Sequence, residues 1–278
     1  MGDNDGAELV HLFDGTTLAG WRAVPRLPVA PWPGGPEPDT TSKQYAAAAA
    51  TTGSWSVEDG AIVGAQDPPG SGLGGYLITE ERYGDFELSL QVRPDWPADT
   101  GVLLRATALG SQGFQVLVDH RRSGGIGGFY GNGIGGFHAL AYGLDAARDA
   151  AGEPIGLVVD DPAATLEPVT PQKRGLLSYA APAEDFLAAW RWAEWNELTV
   201  RCTGSYPVLT TWVNGLKVYE VDTGAISHPT YDREAVARLL GRTGHIALEV
   251  HDNDEAMGDD RWAPGAVVRW RDIRLRVL

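Results

Sequence analysis

Residues 244–254, GHIALEVHDND, place two imidazoles and a carboxylate on one edge of a strand-like alternation. Side chains in a strand alternate between faces. Ile246, Leu248 and Val250 therefore point one way, and His245, Ala247, Glu249 and His251 the other. An ordinary wet face carries Lys, Thr and Ser. Histidine and glutamate instead exchange protons near neutral pH, the property required of general acids and bases. A cleft lined by this face would be an active site.

Such a strand needs neighbours to hold it, and the chain supplies them. Alternating segments separated by Gly, Pro, Asn and Asp recur at 55–65, 75–81, 85–93, 101–106, 113–120, 196–202, 208–221, 245–251 and 267–278. Asp59-Gly60 and Asn214-Gly215 sit between apolar runs, as expected for tight hairpins whose turn residues take positive φ. Helices are expected only at 182–194 and at 232–241, the latter capped by Asp232. Many short strands with few helices indicate an all-β fold, an antiparallel β-sandwich or jelly roll. Residues 25–53, rich in Pro and then Ala, and residues 121–180, rich in Gly at first, read as long loops inserted in a single domain spanning 1–278. Long loops often shape binding sites.

Bulk properties narrow the classes of function. The chain has 278 residues, 43% hydrophobic content and ten Trp, enough for a large core and incompatible with disorder. A net charge of −15 disfavours nucleic acid or an anionic membrane as partner. No apolar run is long enough to span a membrane. The single cysteine, Cys202, excludes an internal disulfide and reads as a small core residue. The acidic start MGDNDGAEL does not resemble a signal peptide. The Gly-rich GGIGGFYGNGIGG lacks the Lys-Ser/Thr and the helix of a phosphate loop. The run from His251 to Glu255, with Asp259 and Asp260 nearby, offers oxygen ligands that would suit Ca²⁺, although the spacing is not that of an EF-hand. His251 with His120 or His138 offers a transition-metal alternative.

In order along the chain, LFDGTTLAGW (12–21), WSVEDGAIVG (55–64), GGYLITEERYGDFELSLQVR (74–93), TGVLLRA (100–106), GFQVLVDH (113–120), FYG (129–131), WNELTVRCTG (195–204), TWVNGLKV (211–218), GHIALEVH (244–251) and VVRWRDIRLRVL (267–278) resemble the 3-keto-disaccharide hydrolase family, whose fold is a concanavalin/laminin-G-like jelly roll. The resemblance covers nearly the whole chain. Departures occur at Gln115, where the family usually carries an acid, at Leu117 (Gln), at His120 (Asp) and at Glu249 (Gln). The 121–180 insertion is also longer than usual.

The resemblance implies cleavage of 3-keto-glycosides. A base removes the proton beside the ketone, the glycosidic oxygen is expelled, and water adds back. It also implies export from the cytoplasm, a carbohydrate partner and no required cofactor. His251 is then the candidate base, Arg105 the enolate stabiliser and Glu249 a second acid or base. Alternation places Glu87, Arg105, Gln115, Glu249 and His251 on one polar surface. Arg105 could instead pair with Glu87 across adjacent strands. His120, Tyr130 and His138 flank the Gly-rich segment and are candidates for substrate contact. Trp32, Trp96 and Trp262 lie in loops, where one indole could stack on a sugar; Trp262 is the candidate taken. Two other functions remain open: a glycoside hydrolase using two carboxylates such as Glu87 and Glu249, and a non-catalytic carbohydrate-binding module.

Overall fold

Strands that bury every second side chain must pair edge to edge and cover one face. In the computed structural model, which describes residues 8–278, they do so in two large antiparallel sheets. One has nine strands and the other seven, with a separate two-stranded hairpin. Residues 1–7, which carry most of the expectation about a leader, lie outside the described residues. Among those described, no helix is long and apolar enough to cross a membrane.

Strand Phe86–Pro94 shows how the alternation is used. Phe86, Leu88, Leu90 and Val92 are at most 1% exposed, while Glu87, Ser89, Gln91 and Arg93 are half-buried on the opposite side. Burying each such apolar side chain stabilises the fold by roughly 1.5–3 kcal/mol. Both expected hairpins form: Asp59, Gly60, Asn214 and Gly215 all have positive φ, as a primed turn requires. Cys202 is fully buried in the core between the sheets.

Helices outnumber the expectation. Helix Arg233–Leu240 forms as read, with Asp232 Oδ1 accepting the backbone N–H of Glu234 and Ala235. The segment expected at 182–194 is helical only over Ala183–Ala189. Lys43–Ala49 and Pro171–Gly175 are also helical, capped by Ser42 and Thr170. Residues 121–180 are not a structureless loop: they hold strands Ile126–Asn132 and His138–Ala139 and the hairpin Leu144–Arg148/Pro154–Val159. Its glycines, read as loop-forming, let strand and turn backbone approach closely. A Cβ on Gly128, for example, would lie 2.1 Å from Leu140.

The site depends on three adjacent strands of the seven-stranded sheet: Gly113–Val118, Thr100–Ala106 and His245–Val250. Leu103 pairs with Ala247 and with Gln115. The register then slips between His245 and Ala247, and Arg105 takes a φ of +49°. Such a bulge re-aims the side chains beyond it. Arg105 therefore turns away from the face of Leu103 and is buried beside Phe114, Tyr206, Val236 and Leu240, its Nη2 2.9 Å from Asp85 Oδ1. It does not join the His251 surface. Glu87 is absent from that surface as well, because its strand belongs to the other sheet, where it binds Arg201 at 2.6 Å. The expected Arg105–Glu87 pair does not form.

Removing one member of a buried ion pair strands the other's charge. Asp85→Ala should lower the unfolding free energy by about 3 kcal/mol. Denaturant titration would measure the loss.

Candidate active site

Asp99 and Glu249 hold the ring of His251 between them. His251 Nδ1 lies 2.7 Å from Asp99 Oδ2, and Nε2 lies 2.7 Å from Glu249 Oε2. All three residues are at most 2% exposed. Both contacts can be hydrogen bonds only if the ring carries two protons, or if one carboxyl carries one. Gln115 Nε2 donates to Glu249 Oε2 at 2.6 Å and lies 3.0 Å from His251 Nε2.

The backbone explains why these groups meet. Strands Thr100–Ala106 and His245–Val250 run antiparallel, so the residue before the first lies near the residue after the second. Between the two ends sits Gly101. A Cβ there would lie 2.8 Å from Gln115 Nε2, from Glu249 Oε2 and from the Val116 carbonyl. Only glycine leaves room for Gln115 and Glu249 to meet. Thr100 Oγ1 donates to the Glu249 carbonyl at 2.5 Å, and Gln66 Nε2 to the His251 carbonyl at 2.8 Å, fixing the strand end.

His251, Asp99 and Gln115 form part of the wall of a cavity of about 340 Å³, whose other walls include Arg26, Asp119, Arg121, Tyr130, His138 and Arg261. Arg261 Nε donates to Asp99 Oδ2 at 2.9 Å, and its Nη2 lies 3.1 Å from His251 Nδ1. Arg121 lies 3.1 Å from Asp119 and 3.7 Å from Asp99. Arg26 stands over the Tyr76 ring at 5.0 Å, and its Nη1 is buried with no hydrogen-bond partner. Asp99 Oδ1 and Glu249 Oε1 are likewise unpartnered.

These neighbours split the two carboxyls on the cavity wall. Burial opposes the charge of Asp99, but His251 and Arg261 hold its pKa well below the usual carboxylate range. For Asp119, burial dominates. It pushes the carboxyl well above that range against the pull of Arg121, and the charge of Asp99 adds to the rise. Burial works against the charge of Arg26, yet Tyr76 and the carboxylates of Glu249, Asp252 and Asp99 raise its pKa. Two neighbouring carboxyls with opposite shifts are a recurring arrangement for acid–base chemistry.

The family model of the 3-keto-alpha-glucoside-1,2-lyase-like domain matches residues 8–276. The chain belongs to this family. Membership supports a carbohydrate-active enzyme. Among solved structures, a putative glycosyl hydrolase from Parabacteroides distasonis ATCC 8503 is similar over 98% of this chain and 100% of its own, at 16% identity and a TM-score of 0.50. A second putative glycosyl hydrolase from that organism covers 97% and 94%, at 13% identity and a TM-score of 0.47. The carbohydrate-binding module CBM66 from Bacillus subtilis covers 80% and 91%, at 10% identity and a TM-score of 0.44. At these identities the likeness is one of fold. No curated protein matches the chain.

Within this lyase-like domain the structure brings together His251, Glu249, Gln115, Tyr130 and His138. Tyr130 and His138 pack ring to ring at 4.6 Å on adjacent strands across the cavity wall. Glu249 is fully buried and lies behind His251 and Gln115 rather than on the wall. The other candidates lie elsewhere. His120 lies two residues past the strand of Gln115, packed against Trp96 and Trp192, with Nε2 3.0 Å from the Asp95 carbonyl. Trp262 is 1% exposed, in the core, and donates to the Ala266 carbonyl. His245 is bound to the Thr79 carbonyl beyond the register slip. Alternation along 113–120 places Asp119 on the side of Gln115 without giving it a role, and the structure sets both on the cavity wall. Asp99, Arg26, Arg121 and Arg261 lie at strand ends and in loops, where alternation carries no information.

Among the described residues, no three His, Cys, Asp or Glu side chains are arranged to hold a metal ion. The donor set does not fit one. Both His251 nitrogens are committed to carboxylates, and three arginines supply positive charge around the cavity. In the acidic loop, Asp252 accepts from the Gly74 N–H, while Asp254 accepts from Ala256 and Met257 and pairs with Arg261.

Gly101→Ala should separate Gln115 from Glu249 and abolish catalysis, with near-native circular dichroism. Wild-type turnover in that variant would contradict the packing described. The second expectation concerns pH. Burial pushes the His120 imidazole down to about 4, whereas the unfolded chain protonates it near 6.5. Its stabilising effect is present above pH 6.5 and declines as pH falls towards about 4, by up to about 3 kcal/mol. His120→Gln should flatten that part of the stability–pH curve.

Proposed function

We propose that the protein cleaves 3-keto-glycosides by elimination across the C1–C2 bond followed by hydration. The observation that carries this reading is His251, held between Asp99 and Glu249 on the wall of a cavity ringed by Arg26, Arg121 and Arg261. A ketone at C3 acidifies the proton on C2. His251, its Nδ1 held by Asp99, accepts that proton at Nε2 as the contact with Glu249 gives way to substrate, and the C–H electron pair passes into an enolate.

The enolate oxygen needs a fixed cation. Arg26 suits the task expected of Arg105, because its buried Nη1 has no partner within the protein. Collapse of the enolate forms the C1=C2 bond and breaks the bond from C1 to the glycosidic oxygen. Asp119, whose carboxyl burial pushes well above the usual carboxylate range, donates a proton to that oxygen. Water then adds its hydroxyl to C1 and gives its other proton back to Asp119, while C2 regains a proton from His251. The sum is hydrolysis; release before hydration is a lyase reaction. No step draws on a metal or a bound nicotinamide, since the sugar arrives already oxidised.

The two-carboxylate alternative loses its pair, because Glu87 binds Arg201 on the other sheet. Asp99 and Glu249 both grip one imidazole instead of facing each other across open space.

Incubation with a 3-keto-glucoside should release aglycone, with or without chelator, while the unoxidised glucoside should be inert. His251→Ala should lower kcat by about 10²-fold or more. Asp119→Asn should slow alkyl glycosides far more than glycosides with an acidic leaving group. Cleavage of the unoxidised sugar, or full activity in His251→Ala, would sink the reading.

A further inference from the structure

The acidic run that follows His251 holds arginines. Asp252 Oδ2 lies 3.9 Å from Arg26 Nε, and Asp254 Oδ2 accepts from Arg261 Nη1 at 2.8 Å. Asp254 is itself fixed by its own turn. Its Oδ1 accepts the N–H groups of Ala256 and Met257, at 3.0 and 2.9 Å, and its carbonyl accepts that of Gly258. The backbone ties Arg261 a second time, because its carbonyl accepts the Asp99 N–H at 3.0 Å. Its guanidinium is therefore held from both ends where it meets Asp99 and His251.

A ring gripped at both nitrogens by carboxylates is drawn towards the doubly protonated form, since each negative charge stabilises the imidazolium. That form cannot take a proton from carbon. Three cations stand around the cavity to oppose it. Arg121 is engaged by Asp119 at 3.1 Å and stands 3.7 Å from Asp99, while Arg26 lies over Tyr76. On the far wall, beside Tyr130 and Glu167, burial pushes the His138 imidazole down to about 4, so it adds no charge at neutral pH. Among the described residues, Arg261 is the one cation within hydrogen-bond distance of the ring, with Nη2 3.1 Å from Nδ1. Its Nε also shares Asp99 Oδ2 with the ring, at 2.9 Å against 2.7 Å, which divides the carboxylate's charge between them.

We propose that Arg261 keeps His251 in its proton-accepting form and that Asp254 keeps Arg261 in place. This inference rests on the reaction proposed above. Either the ring carries both protons of its two contacts or a carboxyl carries one of them, and a cation beside Nδ1 favours the second arrangement. Nδ1–H stays bonded to Asp99, a second ring proton becomes costly, and Nε2 is left to receive the C2 proton. Arg261 acts through the imidazole and is a positioning residue. Asp254 serves the same end one contact farther out.

The pH dependence of kcat/KM on a 3-keto-glucoside separates this role from a structural one. Arg261→Gln should move the acid limb upward by about one pH unit, so that near pH 6 about tenfold more activity is lost than on the alkaline plateau. Arg261→Lys restores the charge and should return the limb close to its wild-type position. An equal fall at every pH, or a limb that follows neither change, overturns the proposal. ¹⁵N imidazole spectra read the same ring without turnover, with His251 assigned by its loss in His251→Gln. The wild-type ring should hold one proton, on Nδ1, at pH 7, and Arg261→Gln should gain the second about one pH unit higher than the wild type does. Two protons in the wild type at pH 7, which needs no variant to observe, or identical titration in both proteins, overturns it. If no 3-keto-glucoside is turned over, the reaction falls, and the spectra alone decide what Arg261 does to the ring.

Discussion

The imidazole of His251, clamped at 2.7 Å on each ring nitrogen, is the contact on which the rest of the site depends. Carboxylates removed from water are expensive unless cations and hydrogen bonds meet them. Asp99 therefore needs Arg261 and Arg121 close by, and Glu249 needs Gln115. This requirement explains a feature that the overall charge of −15 conceals: three arginines gather around a single cavity. Each comes from outside the regular strands that carry Gln115 and Glu249.

One irregularity divides the seven-stranded sheet by role. Up to Leu103 and Ala247 the register aligns outward side chains into the acid–base cluster. Past the slip, Arg105 turns inward to Asp85, and His245 is tied to the backbone at Thr79. Two polar residues that strict alternation assigns to the cleft thus support the protein elsewhere. A buried arginine bonded to Asp85 and the cluster of His251 and Glu249 coexist on the same pair of strands because a bulge separates them.

The insertions decide how much space the sheet face offers. Arg26 enters from residues 25–53, while Ser123, Gly125, His138 and Leu140 enter from 121–180. Farther along the same insertion, Asp145, Arg148 and Leu166 wall an adjoining hollow, which Arg121 also lines. The sheet supplies the reactive groups, and the irregular chain bounds the spaces around them. Arg121, on the partition, ties the two together through Asp119 and Asp99.

Period-two burial in Phe86–Pro94, the Asp59-Gly60 and Asn214-Gly215 turns and the polar edge of 245–251 are local properties, legible before any fold is known. They establish an antiparallel β protein and identify His251, Glu249 and Gln115 as chemistry-bearing residues. Helix Lys43–Ala49 was missed because its alanines follow a Pro-rich run, and Ser42 supplies its cap only through three-dimensional geometry. His120 and Trp262 fall outside the cleft because a place in or beside a loop does not fix where a side chain points, and Glu87 and Arg105 for a different reason. Alternation states that two residues share a face of one strand, not which sheet receives the strand or where its register slips. The sequence alone therefore determined the fold class, the family and the imidazole–carboxylate pair on the strand at 245–251. Tertiary structure alone decided that Asp99 completes the clamp and that Arg26, not Arg105, lines the His251 cavity, because those contacts join residues about 150 positions apart or more through strand pairing and loop docking, which no local pattern encodes.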